Sequence, residues 1–521
     1  MDGSVVRREN GSGRGIYRPG EEDFVALARS HRLVTVSRAV SADTETPVTA
    51  FLKLARGDHA FLLESAEGGE RWGRYSFIGC DPQAVIGFRD GSLYHLPGGA
   101  RGEPRGRDVN PVSYLCDLMA GYSSAWCGED LPFYGGAVGY LAYDLLPYLE
   151  DVELRARGGL DVPAMMFMLT RGCAAFDHLA GRLILMCNVE VKEGADDNGL
   201  REEYRRAISD IESMARDLGA GLPGGGAADV YFLSEDADFQ GVSCNFTREE
   251  YEAAVERARE YIHAGDAFQV VPSQRFSVPL RCHPFSVYRS LRSENPSPYM
   301  FYLRFGDLHL IGSSPEPMVR RRGDRAVIRP IAGTRPRGAT PEEDRRLEEE
   351  LRGDEKERAE HIMLVDLARN DLGRVCVPGS VRVERMMVVE KFSHVMHLVS
   401  EVTGELRPGY GNRELLRSSF PAGTVSGAPK VRACQLIDEL ERDRRGPYAG
   451  AVGYISYHGD MDTCIAIRTI VIQGKTAHVQ AGGGVVADSV PAREYEETRN
   501  KARALLRAIR MAEAREGVMT G

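Results

Sequence analysis

The pattern of apolar and polar positions predicts short strands in the first half of the chain. The runs HAFLLES, RYSFIGC and RLILMCNV are rich in β-branched and aromatic residues and are flanked by turn-forming residues, which is typical of strands. A polar, amphipathic helix is predicted at about 199–217. Glycines then accumulate in the run LGAGLPGGG. Because glycine weakens the interior of any regular element, we predict a linker at 218–245.

The second half begins with a clear helical pattern and then alternates strands with helices. Thr247 and Glu250 have the spacing of a capping box, and Gly265 marks the end of this first helix. Further helices are predicted from Pro341 to Leu372 and at about 491–513. Strands are predicted in FQVVPSQRFSV, MFYLRF, HLIGSS, AGAVGYISYH, TCIAIRTIVIQ and TAHVQAGGGVV. Strands with interleaved helices favour an α+β fold.

The length of 521 residues exceeds what one compact core usually accommodates, so several regions are expected. We predict a flexible tail at 1–20, an N-terminal region at 21–217, the linker at 218–245 and a C-terminal region at 246–515. The net charge of −10 argues against a nucleic-acid-binding protein. The sequence has no run of 18 apolar residues, so no membrane-spanning helix is expected. Ten scattered cysteines without CxxC pairs favour a reducing cytoplasm over a disulfide or zinc protein.

Glu360 is the first candidate for a functional residue. On the predicted helix at about 354–371 it shares a face with Met363, Leu364 and Leu367. A carboxylate on an apolar face is costly to bury unless it is paired or binds a metal. The alternative interpretation is a surface acid at the edge of that face.

The last predicted helix offers a second carboxylate. Glu494, Glu497 and Lys501 lie on one side of it. One interpretation is an exposed salt bridge between Glu497 and Lys501. The other is that Glu360 and Glu497, from two helices, hold one Mg²⁺ ion, which needs few protein carboxylates and keeps positions for water and substrate.

Glycines and an arginine in predicted strands indicate an anionic ligand. Three consecutive glycines, Gly482–Gly484, are costly at a strand end unless a ligand contacts their backbone N–H groups. Arg468 lies in an apolar run and needs either a bound carboxylate or a structural ion pair. FPAGTVSGAPK is not a phosphate loop, because no glycine precedes Lys430 and no serine or threonine follows it. These features favour a small acidic substrate with Mg²⁺.

Seven motifs resemble those of the chorismate-utilising enzymes, most closely the anthranilate synthase component I group. The resemblance covers about 50–510 and implies two β-sheets packed as a sandwich-like core with helices on the outside. It also implies that chorismate and ammonia give anthranilate and pyruvate with Mg²⁺, the first committed step of tryptophan biosynthesis. The motifs are GDAFQVVPSQRF, IGSSPEPMVR, RPIAGTRPRG, EHIMLVDLARNDLGRV, FPAGTVSGAPK, DTCIAIRT and QAGGGVVADSVPAREYEETRNKA.

The resemblance implies a role for each residue of one pocket. Glu316 corresponds to the acid that protonates the leaving hydroxyl, and His397 corresponds to the histidine linked to pyruvate elimination. The expected set comprises catalytic residues Glu316, His397, Thr424 and Lys501, substrate-binding residues Gly333, Thr334, Tyr448, Arg468, Gly482, Gly483 and Gly484, and Mg²⁺ ligands Glu360 and Glu497.

Two positions narrow the choice of reaction within the resembled family. Isochorismate- and salicylate-forming members use a lysine to activate water, and here the corresponding residue is Gln269, which is no general base. Aminodeoxychorismate synthases commonly have a lysine that attacks C2, where this chain has Ala332. Both differences leave C2 open to ammonia. The alternatives are an aminodeoxyisochorismate synthase and, from another class, a non-catalytic tryptophan sensor.

The resemblance also implies regulation by tryptophan in the 21–217 region, catalysis in the 246–515 region, and a partner. The sequence has no Gly-x-Cys-x-Gly nucleophile elbow. We therefore expect a separate glutamine amidotransferase subunit that supplies ammonia, in a heterotetramer with two copies of each subunit. The expected tryptophan-binding residues are Glu64, Ser65, Pro298, Tyr299, Met300, Val452 and Tyr454.

Overall fold

The computed structural model describes residues 16–65, 73–99, 106–107, 109–156, 158–222, 239–392 and 395–517. Most of the predicted tail and of the predicted linker lies outside these ranges. The α-helices are α1 (Glu21–Ala28), α2 (Pro47–Leu54), α3 (Pro111–Ala120), α4 (Asp197–Leu218), α5 (Arg248–His263), α6 (Pro284–Glu294), α7 (Pro341–Gly353), α8 (Glu355–Gly373), α9 (Asn412–Ser419), α10 (Lys430–Leu440) and α11 (Pro491–Arg515). Two short 3₁₀ helices cover Tyr143–Tyr148 and Gly423–Val425.

Most of the strands are short, and they are spread over the whole chain. Those before residue 218 are β1 (Tyr17–Arg18), β2 (Leu33–Ser41), β3 (His59–Glu64), β4 (Tyr75–Cys80), β5 (Ala84–Arg89), β6 (Ser92–Pro97), β7 (Gly106–Arg107), β8 (Ser124–Ala125), β9 (Gly136–Leu141), β10 (Met165–Leu169), β11 (Gly172–Asp177) and β12 (Arg182–Glu190). Those after it are β13 (Ser243–Cys244), β14 (Gln269–Val270), β15 (Ser273–Pro279), β16 (Tyr299–Phe305), β17 (Leu308–Ser314), β18 (Pro317–Arg322), β19 (Arg325–Ile328), β20 (Ile331–Pro336), β21 (Arg382–Lys391), β22 (Val395–Glu405), β23 (Gly427–Ala428), β24 (Ala451–Ser456), β25 (Met461–Ile465), β26 (Thr469–Gln473) and β27 (Thr476–Gly482).

In the described residues these strands form two large sheets. The first has the order β1-β2-β12-β11-β4-β3-β16-β17-β26-β27-β15-β13, with β8 parallel to β2. The second has the order β20-β22-β19-β18-β25-β24-β9-β10-β5-β6-β7, with β21 beside β22. A small ladder pairs β14 with β23. The other strand pairs are antiparallel, as expected for an α+β fold.

The two sheets pack face to face, and helices cover their outer faces. Alternation along β3 shows this arrangement: Phe61 belongs to the core between the sheets, whereas Ala60 and Leu62 pack toward the helices outside the first sheet. Val452 of β24 reaches the same central core from the second sheet. The expected sandwich with outer helices is confirmed.

Both sheets contain strands from both sides of the predicted linker. In the first sheet β3 pairs with β16, and in the second β9 pairs with β24. The composition of the sequence changes at 218–245, but this change does not separate two folding units. The regions before and after it contribute strands to the same two sheets and share one core.

Local sequence signals account for several helix boundaries. The capping box of Thr247 and Glu250 at the start of α5 is confirmed. The charged stretch from Pro341 to Leu372 is not one helix, because Asp354 separates α7 from α8. The Asp354 side chain caps α8 by accepting hydrogen bonds from the backbone N–H groups of Lys356 and Glu357. None of the helices in the described residues combines the length and apolar character needed to span a bilayer.

Candidate active site

Arg468 lies where the chain passes from one sheet to the other. TCIAIRTIVIQ was predicted as one strand, but it contains β25 of the second sheet and β26 of the first. Between them the backbone of Arg468 has a φ of +49°, a left-handed conformation that is uncommon for a residue with a side chain. The crossing interrupts the strand pattern and places Arg468 between the end of β25 and the start of β26.

The guanidinium of Arg468 is engaged by the backbone and not by an acid. Its Nη1 donates to the carbonyl oxygen of Lys501 at 2.5 Å. Burial lowers its pKa, while the charge of nearby Glu497 acts in the opposite direction without forming an ion pair. Within the described part of the chain, no carboxylate lies close enough to pair with it. This half-buried cation is suited to an incoming carboxylate.

The three glycines after β27 permit close approach of other side chains. A Cβ on Gly482 would lie 2.8 Å from the Tyr448 hydroxyl oxygen, and one on Gly484 would lie 2.7 Å from Nε2 of Gln269. A Cβ on Gly483 would lie 2.8 Å from Oε2 of Glu494. The space that the glycines leave is therefore filled in part by the protein itself, in addition to any ligand that contacts their N–H groups.

Tyr448 lies next to the first of these glycines, Gly482. Burial raises the pKa of Tyr448 to about 12, while the charges of Arg445 and Arg468 favour the ionised form. Its hydroxyl is therefore a neutral hydrogen-bond donor at physiological pH. Tyr448, Arg468 and Gly482 thus come together, as the sequence predicts for a carboxylate-binding group.

Carboxylates from α8 and α11 share one electrostatic environment. The pKa of Glu360 is raised, first by burial, then by the negative charge of Glu357 and further by that of Glu497. Nε2 of Gln269 donates to Oε1 of Glu360 at 3.5 Å. Lys501 offsets part of the charge, since its Nζ lies 2.6 Å from Oε1 of Glu497. The i,i+4 salt bridge between Glu497 and Lys501 is confirmed, and the charge of Glu497 also acts on Glu360.

A hard divalent cation fits this set of donors. The mutual repulsion of Glu360 and Glu497 would be relieved by a cation between them. In addition, Oε2 of Glu494 is buried without a hydrogen-bond partner in the described residues. Within those residues no group of three or more acids, histidines or cysteines converges as a ready metal site. Glu360 and Glu497 are the residues that could hold Mg²⁺, an ion that takes one or two protein carboxylates and completes its shell with water and substrate.

Glu316 is held in a protonated form. Its carboxyl group follows β17, and its own backbone oxygen accepts a hydrogen bond from the N–H of Ile465 at 3.0 Å. Burial raises the pKa of Glu316 to about 8, and Thr424 and Lys501 act in the opposite direction. At neutral pH this carboxyl therefore carries a proton that it can donate.

His397 lies on β22 opposite Thr334 of β20. Its Nδ1 is 3.0 Å from the Thr334 hydroxyl and 3.1 Å from the carbonyl oxygen of Gly333. Gly333 has a φ of +73° at a break in the strand register, a conformation that favours glycine. The bulge at Gly333 therefore explains how Thr334 and His397 come together.

The structure also joins the two segments expected to bind tryptophan. Met300 of β16 is opposite Glu64 of β3. Glu64 is buried and accepts hydrogen bonds from the Tyr288 hydroxyl and from Arg292, at 3.1 and 3.2 Å for the latter. The carboxylate is thus oriented by donors of the protein itself.

The remaining expected residues lie beside this pair of strands or face it. Pro298 directly precedes β16 and Ser65 directly follows β3. The hydroxyl of Tyr299 donates to Asp462 of β25 at 2.9 Å. Val452 and Tyr454 lie on β24, which pairs with β25. Met300 and the Glu64 partner Tyr288 belong to the core on the helix side of the first sheet, whereas Val452 and Tyr454 belong to the core between the sheets. The expected residues are thus divided between two neighbouring cores.

The sequence analysis did not identify Glu441 and Arg445. Arg445 contacts the ring of Tyr448 and pairs with Glu441. They belong to the charged run ELERDRRGPY, in which nothing distinguishes a buried arginine from its exposed neighbours. Arg445 is 2% exposed. A fully buried arginine could have been found only from the tertiary structure.

Comparisons with known proteins give one consistent result. The sequence model of the family described as chorismate binding enzyme matches residues 59–507. Anthranilate synthase component 1 of Aquifex aeolicus is 48% identical over 497 residues, which cover 94% of this chain and 98% of that relative. The protein of that name from Pseudomonas putida is 45% identical over 94% of this chain and 98% of its own length.

Solved structures agree with the sequence comparison. The crystal structure of anthranilate synthase component I from Streptococcus pneumoniae superposes with a TM-score of 0.74 at 36% identity, covering 90% of this chain and 99% of that one. The menaquinone-specific isochorismate synthase of Escherichia coli shares the fold at 18% identity, with a TM-score of 0.67 over 94% and 98% of the two chains. From its motifs, its two-sheet fold and these matches, the chain belongs to the chorismate-binding enzyme family.

Proposed function

We propose that this chain is the component I subunit of an anthranilate synthase and converts chorismate and ammonia to anthranilate and pyruvate. The observation that carries the proposal is the guanidinium of Arg468, which lies half-buried beside Tyr448 and Gly482 without a carboxylate partner in the described residues. Chorismate has two carboxylates, and such a guanidinium can bind one of them through two hydrogen bonds. The names of the most similar relatives support the same reaction.

The first half-reaction needs a proton donor. The nitrogen of ammonia adds to ring C2, the double bond shifts, and the C4 hydroxyl leaves as water once it has received a proton. Glu316 is the donor, because its pKa of about 8 keeps the carboxyl protonated at neutral pH. Mg²⁺, held by Glu360 and Glu497, would supply positive charge next to the ring carboxylate.

In the second half-reaction the C2 proton is lost and the enolpyruvyl ether is released as pyruvate, which makes the ring aromatic. His397 is the candidate base. Because the carbonyl of Gly333 can only accept a hydrogen bond, contact with it at 3.1 Å favours a proton on Nδ1. The lone pair then resides on Nε2, where it can accept the C2 proton.

The proposal includes a partner and an inhibitor. A component 1 implies a second component, and we propose a glutamine amidotransferase subunit that supplies ammonia, in a complex with two copies of each chain. We also propose that tryptophan binds between β3, β16 and β24 and inhibits the enzyme by favouring a conformation with a poorer active site. Glu64 would receive the ammonium group of the inhibitor.

A product assay tests the proposed reaction. The purified chain is incubated with chorismate, Mg²⁺ and an ammonium salt, and anthranilate fluorescence and pyruvate are followed together. Equal amounts of both products are expected. Accumulation of a non-aromatic amine without pyruvate would identify an aminodeoxyisochorismate synthase instead. Tryptophan binding without any turnover of chorismate would identify a sensor.

A further inference from the structure

A buried ion pair lies directly behind the candidate active site. Nη2 of Arg445 is 2.6 Å from Oε1 of Glu441, and Nε is 2.9 Å from Oε2. The two side chains are 1% and 5% exposed. Glu441 follows the last turn of α10, and Arg445 lies four residues further along an irregular segment.

The guanidinium also holds two loops by their carbonyl groups. Nη1 donates to the carbonyl oxygen of Val425 at 2.7 Å, and Val425 adjoins the candidate catalytic residue Thr424. Nη2 donates to the carbonyl oxygen of Val271 at 2.6 Å, two residues after Gln269. One planar group thereby fixes two segments of the substrate pocket, the one that follows α9 and the one that follows β14.

Glu441 and the face of the Arg445 guanidinium contact two further residues of the pocket, Ser273 and Tyr448. Oε1 of Glu441 accepts hydrogen bonds from the N–H of Ser273 at 2.7 Å and from its hydroxyl at 2.8 Å. Ser273 is paired with Gly482 across β15 and β27. The guanidinium carbon of Arg445 lies 5.5 Å from the centre of the Tyr448 ring, within the range of a cation–π contact.

A contribution to the free energy of unfolding does not by itself explain the buried pair of Arg445 and Glu441. Desolvation of two charges commonly cancels their attraction, so that well-packed apolar residues are often as stable as a buried ion pair. What apolar residues lack is direction: the guanidinium fork presents its N–H groups at fixed angles, and it satisfies two backbone carbonyls that irregular segments would otherwise leave unpaired.

We propose that Arg445 and Glu441 are positioning residues that set the geometry of the substrate pocket. They hold Thr424, Tyr448 and the backbone of Gly482 at fixed mutual distances through the carbonyls of Val425 and Val271, the N–H of Ser273 and the stacked ring. The inference rests on the proposed chorismate site. Neither side chain has a role in the chemistry itself, and both act through the residues that they hold.

The test is Arg445→Lys in the full-length protein. Lysine keeps the positive charge but loses the fork, so it can satisfy Glu441 or a carbonyl but not all three acceptors. Because misplacement by about 1 Å costs about 100-fold in rate, kcat/KM for chorismate is expected to fall about 100-fold. KM should rise as part of this loss, because Tyr448 and Gly482 are the proposed substrate-binding groups. A purely structural role would lower the melting temperature and the active fraction, and thus the apparent kcat, with KM unchanged.

A matched control is Arg510→Lys. Arg510 pairs with Glu513 at 3.0 Å, and buried Glu513 likewise accepts a backbone N–H, from Arg281. This pair lies beyond the site on α11, so KM should stay at the wild-type value. Arg445→Lys with a wild-type KM would overturn the inference, even if its melting temperature is lower.

If Arg445→Lys does not fold, Ser273→Ala decides. It removes the hydroxyl hydrogen bond to Glu441, together with one accepted from Gln480 at 2.8 Å, and retains the backbone bond to Glu441. A several-fold rise in KM for chorismate with normal melting, which Gln480→Ala does not reproduce, supports the inference. An unchanged KM, or the same rise in Gln480→Ala, refutes it. Failure of the proposed function is separate, because the wild-type chain would then form no anthranilate at all.

Discussion

Nζ of Lys501 bridges Oε1 of Glu497 at 2.6 Å and the carbonyl oxygen of Gly482 at 2.9 Å. On α11, Lys501 thus lies one turn after the candidate metal ligand Glu497 and connects that residue to Gly482. The same backbone turn accepts the Arg468 guanidinium at the Lys501 carbonyl. Lys501 therefore connects the candidate metal ligand Glu497 with the candidate carboxylate-binding residues Arg468 and Gly482.

Replacing Glu497 tests the metal site. Glu497→Gln removes one of two anionic ligands, so Mg²⁺-dependent anthranilate formation is expected to fall by about 100-fold or more, since a bound metal supplies several kcal/mol of charge stabilisation. Initial rates across a Mg²⁺ titration measure this, and calorimetry should show unchanged tryptophan binding. Glu496→Gln is the control, because Glu496 is the adjacent acid and pairs instead with Arg248 and Arg499. Normal Mg²⁺ dependence in Glu497→Gln would rule out the ligand role.

The raised pKa of Glu316 leads to a prediction of how activity declines at alkaline pH. If the protonated form is the one required, kcat/KM should decline as pH rises through about 8, the pKa of Glu316. Glu316→Gln, which donates no proton, should lose about 100-fold to 10,000-fold in turnover. A profile measured from pH 6 to 10 with a constant ammonia concentration tests this. Activity that stays level to pH 9.5 would contradict the assignment.

The same group predicts how stability changes with pH. The pKa of Glu316 rises from its ordinary 4.5 to about 8 in the folded protein, so between these values the folded state holds a proton that the unfolded state lacks. The Glu316 contribution to stability is then complete below pH 4.5 and declines until about pH 8. Relative to the wild type, Glu316→Gln should become progressively more stable across this range in thermal unfolding.

Ala332 tests the choice of nucleophile. It lies half-buried on β20 opposite Leu398 and next to the bulge at Gly333. Ala332→Lys places an amine beside the pocket, where it competes with ammonia for C2, and anthranilate formation is expected to fall at least about tenfold. Ala332→Met has similar length without a nucleophile and separates chemical competition from crowding. Equal rates in Ala332→Lys and wild type would refute this interpretation of the loop.

Glu64 tests the inhibitor site. Because it is buried and oriented by Tyr288 and Arg292, Glu64→Gln removes the negative charge but keeps the shape. Inhibition by tryptophan should weaken by about tenfold to 100-fold, the scale of one charge-assisted hydrogen bond, with KM for chorismate unchanged. Dose–response curves on the two proteins measure the shift. Undiminished inhibition would place the inhibitor elsewhere.

Local signals in the sequence predicted local structure well. The capping box at Thr247 is confirmed, and so is the helix that carries Glu497. By contrast, nothing in the periodicity of TCIAIRTIVIQ distinguishes one buried strand from two in different sheets, because both read as a continuous apolar run. The pairing of β3 with β16 joins opposite halves of the chain, so no local pattern encodes it.

The sequence predicted those residues of the candidate site whose type alone indicates a chemical role. The acids, Arg468 and the three glycines were found in this way. Arg445 was not, because its importance lies in burial and in four contacts that tertiary structure alone creates. Residues that act through others leave no such signal in a single sequence.

The sharing of both sheets by the two halves has a consequence for folding. A chain divided between residues 222 and 239 would leave β3 without β16 and β9 without β24, each with an unpaired row of N–H and C=O groups. Neither fragment could complete the central core, so expressed alone each should aggregate, and co-expressed they should reassemble. The strands of the proposed inhibitor site and those of the candidate active site would thus be lost together in one cooperative unfolding transition.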